Sequence, residues 1–195
     1  MSAPLRILIC EDETLIRLDL RALVEAAGFV VAGEARDGAE AVAQAAATEP
    51  DLILMDVKMP ELDGISAARQ ILAERPVPIV MVTAFSDQEL VRSAAEAGAF
   101  GYLVKPFRGD DLLPAIETAR ARHDELEELR RRGDSLATAL ETRKVIDRAK
   151  GLLMTHHGIP EQEAYARLRT ASQNTGKPIR QLAEALIATL DEGTR

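Results

Sequence analysis

Four short apolar runs of the sequence are each followed directly by residues that could do chemistry. These residues are Glu11 and Asp12 after the first run, Asp56 after the second, Thr83 after the third and Lys105 after the fourth. Runs of this length and composition are typical of strands covered on both faces, as in a parallel sheet. The carboxyl ends of parallel strands meet at one edge of the sheet, where ligands bind. We therefore expect three carboxylates, a hydroxyl and an ammonium group to gather at that edge.

The three carboxylates predict a metal site. Packed together, Glu11, Asp12 and Asp56 repel one another by several kcal/mol unless a cation neutralises them. Oxygen ligands of this kind suit a hard divalent ion, above all Mg²⁺. Asp56 is then the nucleophile of a phosphoryl transfer, and Lys105 pairs with a phosphoryl oxygen. An Asp at a strand end can instead be a helix cap or a turn residue, but the whole set of strand ends favours the chemical role.

The elements that must position these residues alternate strictly between strand and helix. Strands are predicted over residues 5–10, 29–35, 51–56, 77–82 and 100–104, with helix starts at Thr14, Asp37, Ile65, Ser86 and Asp110 or Asp111. This alternation requires right-handed crossovers and helices on both faces of the sheet. The predicted fold class is α/β, a flavodoxin-like doubly wound sheet of five parallel strands in the order 2-1-3-4-5. A helical connector and an all-α three-helix domain follow it.

Residues 5 to 122 resemble a response-regulator receiver domain, the phosphoacceptor module of bacterial two-component systems. The motifs that carry the resemblance are Glu11-Asp12, Asp56 before Met59-Pro60 and Asp63-Gly64, Thr83-Ala84 and Lys105-Pro106. Each motif alone is weak, but the ordered set at strand ends is highly specific. Many members have two aspartates at the first acidic pair, where this chain has Glu11.

The resemblance implies a role for each of these positions. Asp56 accepts a phosphoryl group from a sensor histidine kinase, and Mg²⁺ is held by Glu11, Asp12, Asp56 and the backbone carbonyl of Val57. Thr83 and Tyr102 are the switch positions. Lys105 contacts the phosphate and precedes a cis Pro106.

Composition limits what else the chain can be. It has a single cysteine, so no disulfide or zinc framework is possible, and Cys10 is expected to pack inside its strand. No segment resembles a signal peptide or could span a bilayer, so we expect a cytoplasmic protein. The net charge of −8 argues against nucleic acid, but residues 136–195 contain nine basic and seven acidic side chains. That segment alone has a positive balance, although a solvated helical face also explains so small an excess.

Residues 123–135 are predicted to be a helical connector between a first domain, 1–122, and a second, 136–195. The last receiver helix has no stop signal, and a heptad-like spacing relates Leu126, Leu129, Leu136 and Leu140. This pattern is compatible with a short coiled coil, and so with a homodimer formed on phosphorylation, or with a monomeric linker helix. Gly133 costs about 1 kcal/mol in a helix interior and is a candidate hinge.

Three helices are predicted in the second domain, the first ending near His157, the second beginning at Pro160 and the third at Pro178. Basic residues concentrate on the first two helices. A helix-turn-helix would need them on the third, which turns acidic at Glu184.

The second domain resembles the ANTAR domain, the RNA-binding output module of transcription antiterminators. The matching segments are Glu141-Thr-Arg143, Ala149-Lys-Gly151-Leu-Leu-Met154, Glu163-Ala-Tyr165, Leu168-Arg-Thr-Ala-Ser172 and Leu182-Ala-Glu. Binding to RNA hairpins is implied, with Arg143, Lys150 and Arg169 as expected contacts. Tyr165 is a weaker candidate for base stacking, because a helical tyrosine is more often a core residue.

The sequence thus predicts a phosphorylation-dependent response regulator that binds hairpin RNA and controls transcription antitermination or a related step after initiation. It is not an enzyme in the ordinary sense, since the phosphoryl group is accepted and hydrolysed on its own Asp56. The alternatives are a DNA-binding regulator and a protein–protein switch. A haloacid-dehalogenase-like phosphatase is disfavoured, because Lys58 stands where such enzymes have a second carboxylate.

Overall fold

A five-stranded parallel sheet forms the centre of the computed structural model, which describes residues 3–84 and 98–192. The strands are β1 (Arg6–Cys10), β2 (Val30–Ala35), β3 (Leu52–Asp56), β4 (Ile79–Ala84) and β5 (Gly101–Lys105). They pair in the order β2-β1-β3-β4-β5. The predicted flavodoxin-like order is confirmed, and each predicted strand bound lies within two residues of the observed one.

Helices cover both faces of the sheet. Within the described residues they are α1 (Thr14–Ala26), α2 (Gly38–Thr48), α3 (Gly64–Glu74), α4 (Gly109–His157), α5 (Glu161–Thr175) and α6 (Ile179–Glu192). Alternate residues of a strand face opposite sides of a sheet. Leu8 and Cys10 therefore pack in the core beneath α2 and α3. Ile7 and Ile9 pack in the second core, with α1 and the first turns of α4.

Cys10 lies where the sequence predicted it. Its side chain is fully buried. Burial, followed by the charge of Glu40, raises the pKa of the Cys10 thiol far above its ordinary value. The thiol therefore stays protonated and acts as a small apolar core group.

The N-terminal caps of the helices were predicted correctly in part. Asp37 caps α2 by accepting a hydrogen bond from the Glu40 N–H at 2.7 Å, as predicted. Asp63 caps α3 in the same way through the N–H of Ser66. Thr14 was expected to be the N-cap of α1, but it is the first helical residue, and the extended residue before the helix is Glu13. The helix predicted to begin at Ser86 lies outside the described residues.

Helix α4 is longer than predicted. It begins at Gly109, before the expected Asp110 or Asp111, and continues through Gly133 to His157. The first helix of the predicted three-helix domain is thus not a separate element but the last part of α4. Gly133 is helical, and a Cβ at this position would meet nothing within 4 Å. Its cost of about 1 kcal/mol is spread over a long run of good helix formers and does not end the helix.

The chain divides into two compact units, Met1–Glu127 and Glu128–Arg195, and α4 contributes residues to both. The second unit has a thin core of its own. Its most buried members are Ala149, Leu153, Ala164, Leu168 and Ala183. Three of these five are alanines, which bury little apolar area but allow helices to approach closely.

Candidate phosphoacceptor site

The carboxyl edge of the sheet brings together Glu11, Asp56 and Lys105, as predicted. Glu11 follows β1, while Asp56 and Lys105 are the last residues of β3 and β5. The Lys105 Nζ lies 2.8 Å from the Asp56 Oδ2 and 2.8 Å from the Glu11 Oε2. The side chain of Glu11 is fully buried and that of Asp56 nearly so. One ammonium group thus bridges two carboxylates in a site largely shielded from water.

Burial and charge shift the titration of this cluster. Burial is the main cause that raises the pKa of Glu11 to about 7, and the Asp56 charge adds to it, while Lys105 acts in the opposite direction. Burial disfavours the ammonium form of Lys105, but hydrogen bonds to Asp56 and Glu11 outweigh it and raise the lysine pKa. A charged Lys105 therefore faces a glutamate that takes up a proton near neutral pH.

The residues present fit a divalent cation. One oxygen from each of Glu11, Asp12 and Asp56 lies within 4.8 Å of the others. The Oε2 of Glu11 is buried and is ion-paired with the Lys105 ammonium at 2.8 Å, while the hydrogen bond from Lys105 goes to Oε1 at 3.0 Å. Asp12 is exposed and can turn toward an ion. The carbonyl of Val57 accepts the N–H of Gly64 at 3.0 Å, which leaves one lone pair for a ligand bond.

Magnesium affinity should rise with pH through about 7, because the ion must displace the proton of Glu11. The folded-state pKa of Glu11 lies above the ordinary value of 4.5. Ionisation of Glu11 therefore lowers the free energy of unfolding as pH rises from about 4.5 to about 7. Calorimetric titration with MgCl₂ at several pH values, in buffers of different ionisation enthalpy, measures both affinity and proton release. Glu11→Gln is the control and should remove the proton release. An affinity independent of pH in the unmodified chain would contradict this expectation.

The loop after β3 is held by a close backbone approach. A Cβ on Gly64 would lie 1.9 Å from the Asp56 carbonyl oxygen and 3.2 Å from the Met55 Cγ. The space at this position admits only a glycine, so the start of α3 sits directly against the end of β3. The N–H of Val57 donates to the Val82 carbonyl at 3.1 Å and continues the β3–β4 pairing past Asp56.

The two predicted switch residues lie on adjacent strands. Thr83 is buried on β4, and its hydroxyl donates to the Ala84 carbonyl at 3.2 Å. Tyr102 is partly buried on β5 and packs against the core that lies beneath α2 and α3. Met81 and Tyr102 are register partners, as are Thr83 and Val104. The Lys105–Pro106 peptide bond is cis, as the resemblance implied.

Arg17 supports the acidic loop, and no sequence motif pointed to it. Its Nη1 donates to the carbonyl oxygens of Glu11 at 2.7 Å and Asp12 at 3.3 Å. Its Nε lies 3.3 Å from a carboxylate oxygen of Glu34 on β2. Arg17 thus fixes the backbone from which two predicted metal ligands project, and we regard it as a positioning residue.

The predicted RNA contacts are distributed over two helices of the second unit. Tyr165 and Arg169 are exposed on α5, four residues apart and so on the same side of the helix. Arg143 is exposed on α4, with its Nε 3.8 Å from an oxygen of Asp147. Lys150 is largely covered, and its Nζ lies 2.6 Å from Asp147 and 2.7 Å from Glu161. Lys150 therefore joins α4 to the start of α5, whatever else it contacts.

Comparison with known proteins identifies both parts of the chain. Residues 7–117 match the response regulator receiver domain, and residues 134–187 match the ANTAR domain. The chain therefore belongs to the response regulators that carry a receiver domain and an ANTAR domain.

The relatives cover both the whole chain and its first part. The chain is 47% identical over 189 residues to the transcriptional regulatory protein PdtaR of Mycobacterium tuberculosis, covering 97% of this chain and 92% of that protein. The chemotaxis protein CheY of Bacillus subtilis is 40% identical over 112 residues, covering 57% of this chain and 93% of CheY.

Solved structures match the receiver part. The signal receiver domain of a modulated diguanylate cyclase from Desulfovibrio desulfuricans G20 superimposes with a TM-score of 0.59 and 35% identity. That match covers 64% of this chain and 99% of the receiver domain. Among the described residues, no helix is both long enough and apolar enough to cross a membrane.

Proposed function

We propose that this response regulator accepts a phosphoryl group on Asp56 and uses it to control the binding of hairpin RNA by its ANTAR domain, and so transcription antitermination or a related step after initiation. The observation that carries the proposal is the joining, in one chain, of a lysine-bridged carboxylate site at a sheet edge and an ANTAR match over residues 134–187. The phosphoryl donor is a sensor histidine kinase.

The chain's own residues can perform the transfer. An oxygen of Asp56 attacks the phosphorus of the phosphohistidine, the P–N bond breaks, and the imidazole leaves as an acyl phosphate forms. Lys105, already 2.8 Å from Asp56, pairs with an anionic oxygen of the transferred group. Glu11, Asp12, Asp56 and the Val57 carbonyl would hold Mg²⁺, which offsets the charge on the phosphoryl oxygens. Hydrolysis of the acyl phosphate by water resets the chain.

Phosphorylation is proposed to act through Thr83 and Tyr102. The new anion attracts the Thr83 hydroxyl, which leaves its bond to the Ala84 carbonyl. Movement of Thr83 vacates space for the ring of Tyr102. The free energy by which phosphorylation must shift this equilibrium is modest, since coupling between sites typically amounts to about 1–3 kcal/mol.

The proposed response is dimerisation along α4. The seam, which consists of Leu126, Leu129, Leu136 and Leu140, exposes 36%, 57%, 65% and 58% of these side chains. A row of exposed leucines at coiled-coil spacing favours a second copy of the same helix as its partner.

Phosphorylation should therefore tighten self-association, and Leu136→Glu should abolish the effect by placing a charge in the seam. Sedimentation velocity with and without acetyl phosphate and Mg²⁺ measures the change in mass. Leu18→Glu is a matched control, because Leu18 is similarly exposed, at 52%, but lies on α1. A mass that does not change on phosphorylation would reduce the seam to a linker surface.

RNA binding should be selective for hairpins over duplex DNA. A-form duplexes hide their base edges in a deep, narrow groove, whereas loop bases can be unstacked and recognised. Two linked ANTAR domains could bind neighbouring hairpins and gain about a hundredfold by effective concentration. Filter binding of phosphorylated chain to paired-hairpin RNA and to duplex DNA of matching sequence, across a salt series, is the test. Equal affinity for the two would assign the domain to DNA instead.

A further inference from the structure

The pairing of charges in the second unit narrows the choice of RNA-contacting surface. Most of its basic side chains already have carboxylate partners: Arg143 with Asp147, Lys144 with Glu141, Lys150 with Asp147 and Glu161, Arg167 with Glu163 and Arg180 with Glu184. Arg148 has a partner as well. A cation that must first release its carboxylate gains less from a phosphate than one that is free.

Two cations remain available. Between residues 128 and 192 of the described chain, Arg169 and Lys177 are the lysine and arginine residues whose side chains make neither an ion pair nor a hydrogen bond. Arg169 has no ion pair because none of its neighbours one helical turn away is acidic. These neighbours are Tyr165, Ala166, Ser172 and Gln173. Arg167, two residues earlier, instead has Glu163 one turn before it and is paired at 2.8 Å.

The free arginine lies in a continuous polar row. We define the α5 stripe as Gln162, Tyr165, Arg169 and Gln173, which occupy roughly a quarter of the helix circumference at 3.6 residues per turn. All four are exposed, while Ala164 and Leu168 face the core of the unit. Within the described chain, the side chains of the stripe make no hydrogen bond or ion pair, and the stripe contains no carboxylate.

Lys177 is held beside the C-terminal end of this stripe. The hydroxyl of Ser172 donates to the Lys177 carbonyl at 2.6 Å, and Gly176 turns the chain with a φ of +67°. The backbone of Lys177 is thereby folded back against the last turn of α5. Arg169 thus lies on α5 and Lys177 just beyond its C-terminal end, on either side of Gln173 in the sequence.

We propose that the α5 stripe, with Lys177, is the surface that recognises unpaired RNA loop bases, an inference that rests on the proposed function. Tyr165, with 45% of its surface exposed, offers a flat face for stacking a base. The amides of Gln162 and Gln173 each present a donor and an acceptor to a base edge. Arg169 binds a base edge, and Lys177 binds a phosphate of the same loop.

Residues of the α5 stripe and Lys150 should have different roles in RNA binding. Lys150, covered and bonded to carboxylates on α4 and α5, holds the two helices together. Its replacement by alanine should lower affinity for all hairpins by loosening the unit, without changing which loop sequence is preferred. Replacement of a stripe residue should change the preference itself, because base contacts specify sequence and phosphate contacts do not.

The test is a selection from a hairpin RNA library with a fixed stem and a fully randomised loop. Full-length chain phosphorylated with acetyl phosphate selects loops, and the most enriched hairpin then serves as the binding probe. Arg169→Ala and Gln173→Ala should each weaken binding to this probe by about tenfold or more. Both should also lose the selected base at one loop position. Arg167→Ala is the matched control and should stay within about a factor of two, since an exposed ion pair contributes little.

The outcomes distinguish this inference from the function on which it rests. Failure of the unmodified chain to enrich any loop would remove the RNA-binding function itself. Enrichment by the unmodified chain, with Arg169→Ala and Arg167→Ala equally weak or equally strong and selecting the same loops, would overturn the assignment to the α5 stripe. Thermal melting of each variant shows that the second unit is folded when binding is measured.

Discussion

Asp56→Asn should abolish phosphorylation by acetyl phosphate and by the cognate kinase, with no labelled chain detectable by intact-mass spectrometry. The lone pair of the amide nitrogen is delocalised into the carbonyl group, so asparagine is a poor nucleophile toward phosphorus. The carboxylate oxygen of Asp56, by contrast, is both the proposed nucleophile and a predicted metal ligand. The fold should tolerate the change, because Lys105 keeps Glu11 as a partner at 2.8 Å and is not left as an unpaired buried charge. The variant should therefore melt close to the unmodified chain.

Asp12→Asn is the graded control for this experiment. Asp12 is exposed and serves only as a predicted ligand, so its loss should weaken phosphorylation at low Mg²⁺ and be partly restored at high Mg²⁺. Undiminished labelling of Asp56→Asn would place the phosphoryl group on another residue. Peptide mapping of the labelled chain would then find that residue.

Gly64→Ala should destabilise the first unit by about 3 kcal/mol or more, at the upper end of single-residue effects. The added Cβ would lie 1.9 Å from the Asp56 carbonyl oxygen and 2.9 Å from its carbonyl carbon. Neither is the end of a flexible side chain, so the end of β3 must move away from α3. The same movement displaces Asp56, and labelling by acetyl phosphate should fall even in the fraction that folds.

Gly133→Ala is the matched control for Gly64→Ala. The Cβ added at Gly133 would meet nothing within 4 Å, and the residue is helical, so alanine should stabilise α4 by about 0.5–1 kcal/mol. Urea denaturation followed by hydrogen exchange reports on each unit separately. A Gly64→Ala chain as stable as the unmodified one would show that the loop after β3 can relax at little cost.

The fold and the geometry of the candidate site followed from local signals because those signals agreed with one another. Apolar runs of strand length, separated by helical patterns, permit only a parallel sheet. Such a sheet places Glu11, Asp56 and Lys105 at one edge, although 94 residues separate the first from the last. The cap at Asp37 followed because its short acidic side chain could reach back to an N–H, whereas the predicted start of the next helix, Ile65, lies two residues after its observed cap, Asp63.

Side-chain contacts that depend on the three-dimensional arrangement of several elements were not predictable from local signals. The sequence shows that residues 136–195 have a positive balance of charge, but not that Lys150 is shared between carboxylates on two helices. Arg17 gave no signal, because its role depends on a loop that curls back over the first turn of α1. The sequence left open whether α4 continues through Gly133. The cost of this glycine is local, whereas the helix is favoured by many residues together. Tyr165 was expected to be a core residue more often than a stacking surface, but it is nearly half exposed, because α5 buries Ala164 and Leu168 instead.

The pairing of charges within the second unit should reduce its nonspecific attraction to nucleic acid. Nonspecific attraction to polyanions grows with the number of cations that can each displace a counterion. A second unit whose arginines and lysines are mostly paired with its own carboxylates should therefore attract bulk nucleic acid less than one whose cations are free. We therefore expect such a regulator to be captured only weakly by the large excess of irrelevant nucleic acid.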